Sequence, residues 1–252
     1  MKYLLYITLL ICYSYNVTGQ NLKPEYQKFI QSFITDIKAD RKEAIASAVQ
    51  YPLKRENPIP SVKNKADFIK RYSEIFDADL KKEIISSNID KDWQEMGWRG
   101  IMLNSGTIWF DLDGKLTAVN YESKYEKDLK TKLILSQKKK LHSSIAVFKE
   151  PVYVLETSKF RIRIDDLGNN KYRYASWSVK KSMSEKPDLV IQNGKLIADG
   201  TAGNHQYEFK KGNYVYQCAI IILGEKDAAP ARLVIYQNGK EILMQDAKIV
   251  SR

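Results

Sequence analysis

Two histidines and two cysteines are all the imidazole and thiol that this 252-residue sequence offers. His142 and His205 are far apart in the chain, and neither has a second His, a Cys or a carboxylate at metal-ligand spacing. His205 follows Gly203-Asn204 and reads as a surface turn residue. No Gly-x-Ser-x-Gly, phosphate-cradling glycine loop or His-Glu-x-x-His is present, so the motifs imply no cofactor and no metal. Cys218 lies in the strand-like run 214–222 and reads as a buried, inert thiol. Carboxylates are what remains for acid–base work. Asp36, Asp67, Glu74, Asp111 and Glu122 fall on elements able to face an interior, where an apolar pocket would raise their pKa towards neutrality. Asp111, in Trp109-Phe110-Asp111-Leu112-Asp113-Gly114, is the catalytic candidate of this set. It also sits two residues before a hairpin turn, where Asp commonly plays a structural part.

The aromatic residues suggest binding more than catalysis. Tyr72, Phe76, Trp98 and Trp109 fall in the first half, with Arg99 beside Trp98 as a cation for an anionic ligand. Tyr and Trp combine a broad apolar face with a polar handle and suit a pocket wall, although a core between sheet and helices uses them equally. In the second half, Tyr172-Arg173-Tyr174-Ala175-Ser176-Trp177 places Tyr172 and Tyr174 on one strand face and Trp177 on the other. Lys180 and Lys181 follow, and the four residues Tyr172, Tyr174, Lys180 and Lys181 are a candidate surface for a glycan or peptide partner. A strand of a sandwich core explains the same pattern.

These residues need elements to hold them. Tyr26, Phe29, Ile30, Phe33, Ile34 and Ile37 repeat with helical spacing over 23–39. Asp40, with Glu43 three residues on, is the expected cap of a short helix ending before Pro52. Asn64 or Lys65 opens a helix carrying Phe68, Tyr72, Ile75 and Phe76, and a further short helix follows with Leu80 and Ile84. From Trp98 the period changes to two, and 98–103, 107–112 and 116–121 read as an antiparallel meander with Trp98 and Trp109 meeting across a hairpin. Helices followed by a meander is α+β. Residues 124–141 read as a lysine-rich helix with one apolar edge.

Beyond it, strands are expected at 152–156, 159–165, 171–178, 188–192, 195–199, 206–210, 213–222, 231–237 and 240–247. Glycine and asparagine pairs separate most of them, Asn193-Gly194 and Asn238-Gly239 included. Such spacing indicates an all-β sandwich or barrel. The division is therefore a leader over 1–19, an α+β domain over 20–122, a basic helical connector over 123–145 and an all-β domain over 146–252.

The leader has Lys2, an apolar run from Tyr3 to Cys12 and small residues at Val17-Thr18-Gly19, the pattern of a secretory signal peptide. No other apolar run approaches the length of a membrane helix. The expectation is a protein released to the periplasm or secreted. Leu9-Leu10-Ile11-Cys12 resembles a lipobox but has bulky Ile11 where a small residue belongs, so lipidation of Cys12 is not expected. With Cys12 in the leader, Cys218 has no partner for an intramolecular disulfide. The net charge of +11 lies in the second half: 20–122 is neutral, while 123–150 and 151–252 each carry +5. Export argues against nucleic acid, and the basic half suits an anionic envelope surface or simple solvation.

The residues Phe29-x-x-x-Phe33-x-x-x-Ile37, Tyr51-Pro52-Leu53, Ala66-Asp67-Phe68-x-x-x-Tyr72-x-x-Ile75-Phe76 and Trp98-Arg99-Gly100-Ile101-Met102 through Ile108-Trp109-Phe110 carry a family likeness. Over about 23–122 the chain resembles the SnoaL-like, nuclear-transport-factor-like superfamily. That resemblance implies helices wrapped on a curved antiparallel sheet to form a cone. Many enzymes of the superfamily use a polar pair such as Asp/His in the cone, and the first half here has no His. The resulting expectation is a non-catalytic envelope protein binding a small ligand or a protein or glycan partner. An enzyme using Asp111, and an inhibitor or immunity-type protein acting on another exported protein, are the alternatives.

Overall fold

The computed structural model describes residues 22–200 and 203–251. The expected leader, with Cys12, lies outside these residues. Six helices are present among them: α1 (Pro24–Lys38), α2 (Lys42–Ala48), α3 (Lys65–Ile75), α4 (Ala78–Ser86), α5 (Ile89–Asp92) and α6 (Lys124–Lys140). The strands are β1 (Trp93–Glu95), β2 (Ile101–Leu103), β3 (Ile108–Phe110), β4 (Leu116–Val119), β5 (Glu150–Glu156), β6 (Phe160–Gly168), β7 (Lys171–Ser178), β8 (Leu189–Asp199), β9 (Asn204–Lys211), β10 (Tyr214–Ile220), β11 (Ala231–Gln237) and β12 (Lys240–Ser251). No helix among the described residues is long and apolar enough to cross a membrane. Contacts group the chain into two units, one of residues up to 51 with 78–121, the other of 52–77 with 122 onward.

In the first unit, β1 to β4 form an antiparallel meander in sequence order. Helix α1 buries Tyr26, Ile30, Phe33, Ile34 and Ile37, the stripe its spacing dictates. Phe33 meets Phe110 of β3 edge-on at 5.1 Å, and Trp93 of β1 lies 6.0 Å from the same ring. The cap expected from Asp40 is absent. The N-cap of α2 is Arg41, with no side-chain cap bond, because Asp40 takes a positive φ of 52° and its carboxylate accepts from Lys81.

In the second unit, β5 to β12 form a closed eight-stranded antiparallel barrel, each strand pairing with the next and β12 closing on β5. The all-β part is thus a barrel and not a sandwich. Eight strands enclose an interior about wide enough for side chains, and Tyr153, Ile162, Ile164, Tyr174, Phe209, Cys218 and Leu233 form a buried core there. The nine expected strands become eight because 188–192 and 195–199 are one strand. Asn193-Gly194 is no turn. It is an irregularity inside β8, where the register with β7 slips between Tyr172↔Gly194 and Tyr174↔Ile191. Gly194 is required there, since a Cβ on it would stand 2.1 Å from the Phe209 ring.

Two buried ionic groups tie other segments within this unit. Ser123 caps α6 by accepting from the Glu126 amide at 3.1 Å, while the buried Glu126 carboxylate takes both Nε and Nη2 of Arg55. Asp165 on β6 bridges Arg163 at 2.7 Å and Arg173 at 2.6 Å, all three nearly solvent-free. Arg173 also donates to the carbonyls of Ile145 and Val147, and Phe148 lies 4.8 Å from the Arg163 guanidinium. The segment after α6 is thereby pinned to the outer face of β6 and β7.

Candidate functional site

Among the described residues, the aromatic side chain most exposed is Trp98, at the tip between β1 and β2. Met96-Gly97-Trp98-Arg99-Gly100 closes this hairpin, with a single 3-10 turn over Gly97–Arg99. The Met96 amide donates to the Gly100 carbonyl at 2.7 Å, and the Gly100 amide donates to the Gly97 carbonyl at 3.0 Å. Gly100, at φ 98°, passes so close to β3 that a Cβ would lie 2.0 Å from the Phe110 carbonyl oxygen. The loop is therefore fixed by its backbone. Its outer residues are free: Trp98 is 80% exposed, and Arg99 is exposed with no ion pair among the described residues. The β3–β4 turn lies at the same end of the sheet, as the Ile101↔Phe110 pairing requires, and adds half-exposed Leu112.

Asp111 holds that second turn. Its Oδ1 accepts from the amides of Asp113 at 3.0 Å and Lys115 at 2.7 Å, the geometry of an Asx turn. The expected meeting of Trp98 with Trp109 does not occur. Gly97 and Gly100 take positive φ and carry Trp98 off the strand, so Trp109 stands opposite Met102 instead. Tyr72 and Phe76 belong to the second unit. Tyr72 on α3 and Phe76 just after it are buried, stacked at 5.3 Å with an 18° angle, and serve the core of that unit beside Phe68.

On the barrel, Tyr172 and Tyr174 share the inner face of β7, as alternation requires. Tyr174 is buried 5.5 Å from the rings of both Phe209 and Tyr216, and burial raises its hydroxyl pKa well above the usual phenol range. It is part of the barrel core and offers nothing to a surface partner. Lys180 is exposed in the turn after β7, and Lys181 pairs with Asp188. His205 lies on β9 and not in a turn. Its Nε2 is 3.3 Å from the Tyr153 hydroxyl, and its Nδ1 is 2.8 Å from the Gly203 carbonyl oxygen. With Tyr207 and Tyr172 it completes an aromatic layer at one end of the barrel. The signal for that layer was His205 two residues before Tyr207, on one strand face.

An open groove of about 400 Å³ runs beside α3 and α6, lined by Pro60, Lys63, Asp67, Arg71, Leu129 and Leu133. Its one arginine is already engaged: Arg71 donates to the Pro60 carbonyl at 2.8 Å and pairs with Glu74 at 3.4 Å. Among the described residues no three His, Cys, Asp or Glu side chains gather in a way that could hold a metal ion.

Comparison with protein families, with curated proteins and with solved structures returns no match for this chain.

Proposed function

We propose that this is an exported, non-catalytic binding protein that engages a protein partner through the Trp98–Arg99 tip. The exposure of Trp98 on a backbone-locked loop carries the reading. Tryptophan and arginine dominate binding energies at protein interfaces, and a loop that is already rigid loses little entropy when it docks. An 80% exposed Trp has no part in folding the sheet behind it. The barrel supports a surface function, because Tyr153, Ile164, Tyr174, Phe209 and Leu233 pack into its interior as one hydrophobic core. The engagement of Asp111 with two turn amides supports a structural part for that carboxylate, away from acid–base chemistry. For residues 23–122 we retain the SnoaL-like reading as part of the proposal. Helix α1, packed on α2 and α4 and with its Phe33 against Phe110 of the antiparallel meander, supports it.

The test is site-specific photo-crosslinking in the producing cells, with the photoreactive residue at position 98 and, as control, at the exposed Lys28 of α1. One discrete adduct from position 98, weakened when Arg99 is replaced by Ala and absent at position 28, is the expected result. Equal labelling at both positions, or none at 98, sinks the reading.

A further inference from the structure

We propose that the second half of β8, Lys195-Leu196-Ile197-Ala198-Asp199, is a self-association edge on which a second copy of this chain pairs antiparallel about Ile197. This segment pairs with β9 on one side only, from Lys195↔Glu208 to Asp199↔Asn204. On its other side β7 stops at the Tyr172↔Gly194 pair. The irregularity at Asn193, with φ 61°, turns the strand away from β7 at that point. Five residues of backbone are thus left with no neighbouring strand on that side among the described residues. Unpaired edges template the addition of another strand, and proteins blunt them by shortness, by charged side chains such as Lys, and by proline, bulges or inward charge. This edge is short and carries Lys195 and Asp199, charges that oppose random pairing and favour the one register that matches them. Neither a proline nor a register shift against β9 lies within 195–199. Leu196 and Ile197 are instead 47% and 38% exposed.

The occupant follows from the order of the side chains. Lys195, Ile197 and Asp199 share one face, and Leu196 and Ala198 the other. About a two-fold axis through Ile197, Lys195 of one copy stands opposite Asp199 of the other, twice, with the two Ile197 side chains between them. Leu196 meets Ala198 on the opposite face. Neither Lys195 nor Asp199 makes an ion pair or a side-chain hydrogen bond within the chain among the described residues. Their charges are available for the pairing. Parallel addition would set Lys195 against Lys195, and like charges directly opposite are unfavourable. A slip of two residues would replace both ion pairs by Lys–Ile contacts in one direction and by Asp–Ile contacts in the other.

The other open edge, Lys240–Ala247 of β12, lacks this symmetry. Its register shift opposite Ile235/Tyr236 leaves Lys240 paired with Gln237 and Asp246 with Arg232, on opposite faces. A five-residue strand pair is small beside the roughly 1,600 Å² of a standard interface, so the dimer is weak and reversible.

The test is analytical ultracentrifugation of the mature chain from about 1 µM to about 1 mM, the range in which small interfaces bind. The expected result is a doubling of the weight-average mass across the series. Lys195→Asp should weaken dimerisation at least about tenfold by opposing Asp to Asp, and the double swap K195D/D199K should restore it. Both positions are exposed, and near-ultraviolet circular dichroism confirms that each variant folds. Ile197→Cys should also give a disulfide-linked dimer on mild oxidation, since buried Cys218 cannot compete. A chain monomeric at every concentration overturns the proposal, as does a dimer indifferent to both charge variants. Pairing of this edge with a peptide from a different protein, while the chain alone stays monomeric, overturns it too.

Discussion

Cys218 shows how far burial alone decides the chemistry of a side chain here. It is fully buried in the barrel, and desolvation of the thiolate pushes its pKa up to about 12. The thiolate is the reactive form, so the folded protein should resist alkylation by iodoacetamide near pH 8 and react fully once unfolded in guanidinium. Mass spectrometry of the native and denatured chain reads the difference directly, and native labelling at the denatured rate would show the barrel to be open. Glu156 shows the opposite case. Lys248 and Arg161, at 3.0 and 2.8 Å, hold its carboxylate below the ordinary value of 4.5. The unfolded chain then binds more protons than the native one just below that ordinary value, so stability rises with pH through this window. The contribution is complete above the ordinary carboxylate pKa and is lost as pH falls through the lowered native one. Because Glu156 joins β5 to both β6 and β12, acid should loosen the closing seam of the barrel. Melting temperatures recorded between about pH 6 and pH 3 should fall less steeply for Glu156→Gln than for the native chain.

At the level of single elements, two identical tetrapeptides separate what sequence conveys from what it cannot. Gln192-Asn193-Gly194-Lys195 and Gln237-Asn238-Gly239-Lys240 share one turn chemistry. The second forms the β11–β12 hairpin expected of it, with positive φ at Asn238 and Gly239. The first lies within β8, because Phe209 from β9 fills the space that a side chain at Gly194 would occupy. That contact is fifteen residues distant in sequence, and local pattern carries no trace of it. Gly194→Ala should therefore destabilise the barrel by about 1–3 kcal/mol through overpacking. Phe209→Leu in the same chain should recover part of the loss, and urea titration of the three proteins reads both effects. If Gly194→Ala proves neutral, the close approach of β8 and β9 is not a constraint. The same limit applied at the candidate site. Periodicity of two ran through Trp98, but glycines on either side took the chain off the strand and outward. Trp98 and Arg99 could be picked out by residue type, while their exposure depended on backbone contacts with β3. The helical stripes of α1 and α3 and most of the strand spacing beyond α6 were legible because each follows from a short local period. Helix α6 forms where expected, but its apolar edge is not buried: Glu126 is the buried residue, while Tyr125 and Leu135 stand half-exposed.

For the whole molecule, the decisive feature is that the barrel's unit is not continuous in sequence. Residues 52–77 group with 122 onward, although residues 76–149 and four strands part α3 from the barrel's first strand. Their link is chemical as much as spatial. Arg55 neutralises the buried Glu126, Ser123 donates to the Glu74 carbonyl, and Asn57 donates to the Pro151 carbonyl at 2.5 Å. A chain cut to residues 122–252 keeps every barrel strand but loses all three bonds. Glu126 would then be a buried carboxylate without its cation, a defect that costs about 3–5 kcal/mol if the burial persists. Helix α6 has the cheaper course of unravelling, since an isolated helix of its 17 residues is marginal in water. The fragment should therefore hold a native-like barrel in near-ultraviolet dichroism yet lose ellipticity at 222 nm, with rapid amide exchange confined to 124–140. Glu126→Leu within the fragment should return part of that helix by removing the stranded charge. Amides of 124–140 protected as well in the fragment as in the whole chain would show that 52–77 merely lie against the barrel. Their loss of protection would instead make that stretch an integral part of the barrel unit, inserted in sequence among the residues of the smaller one.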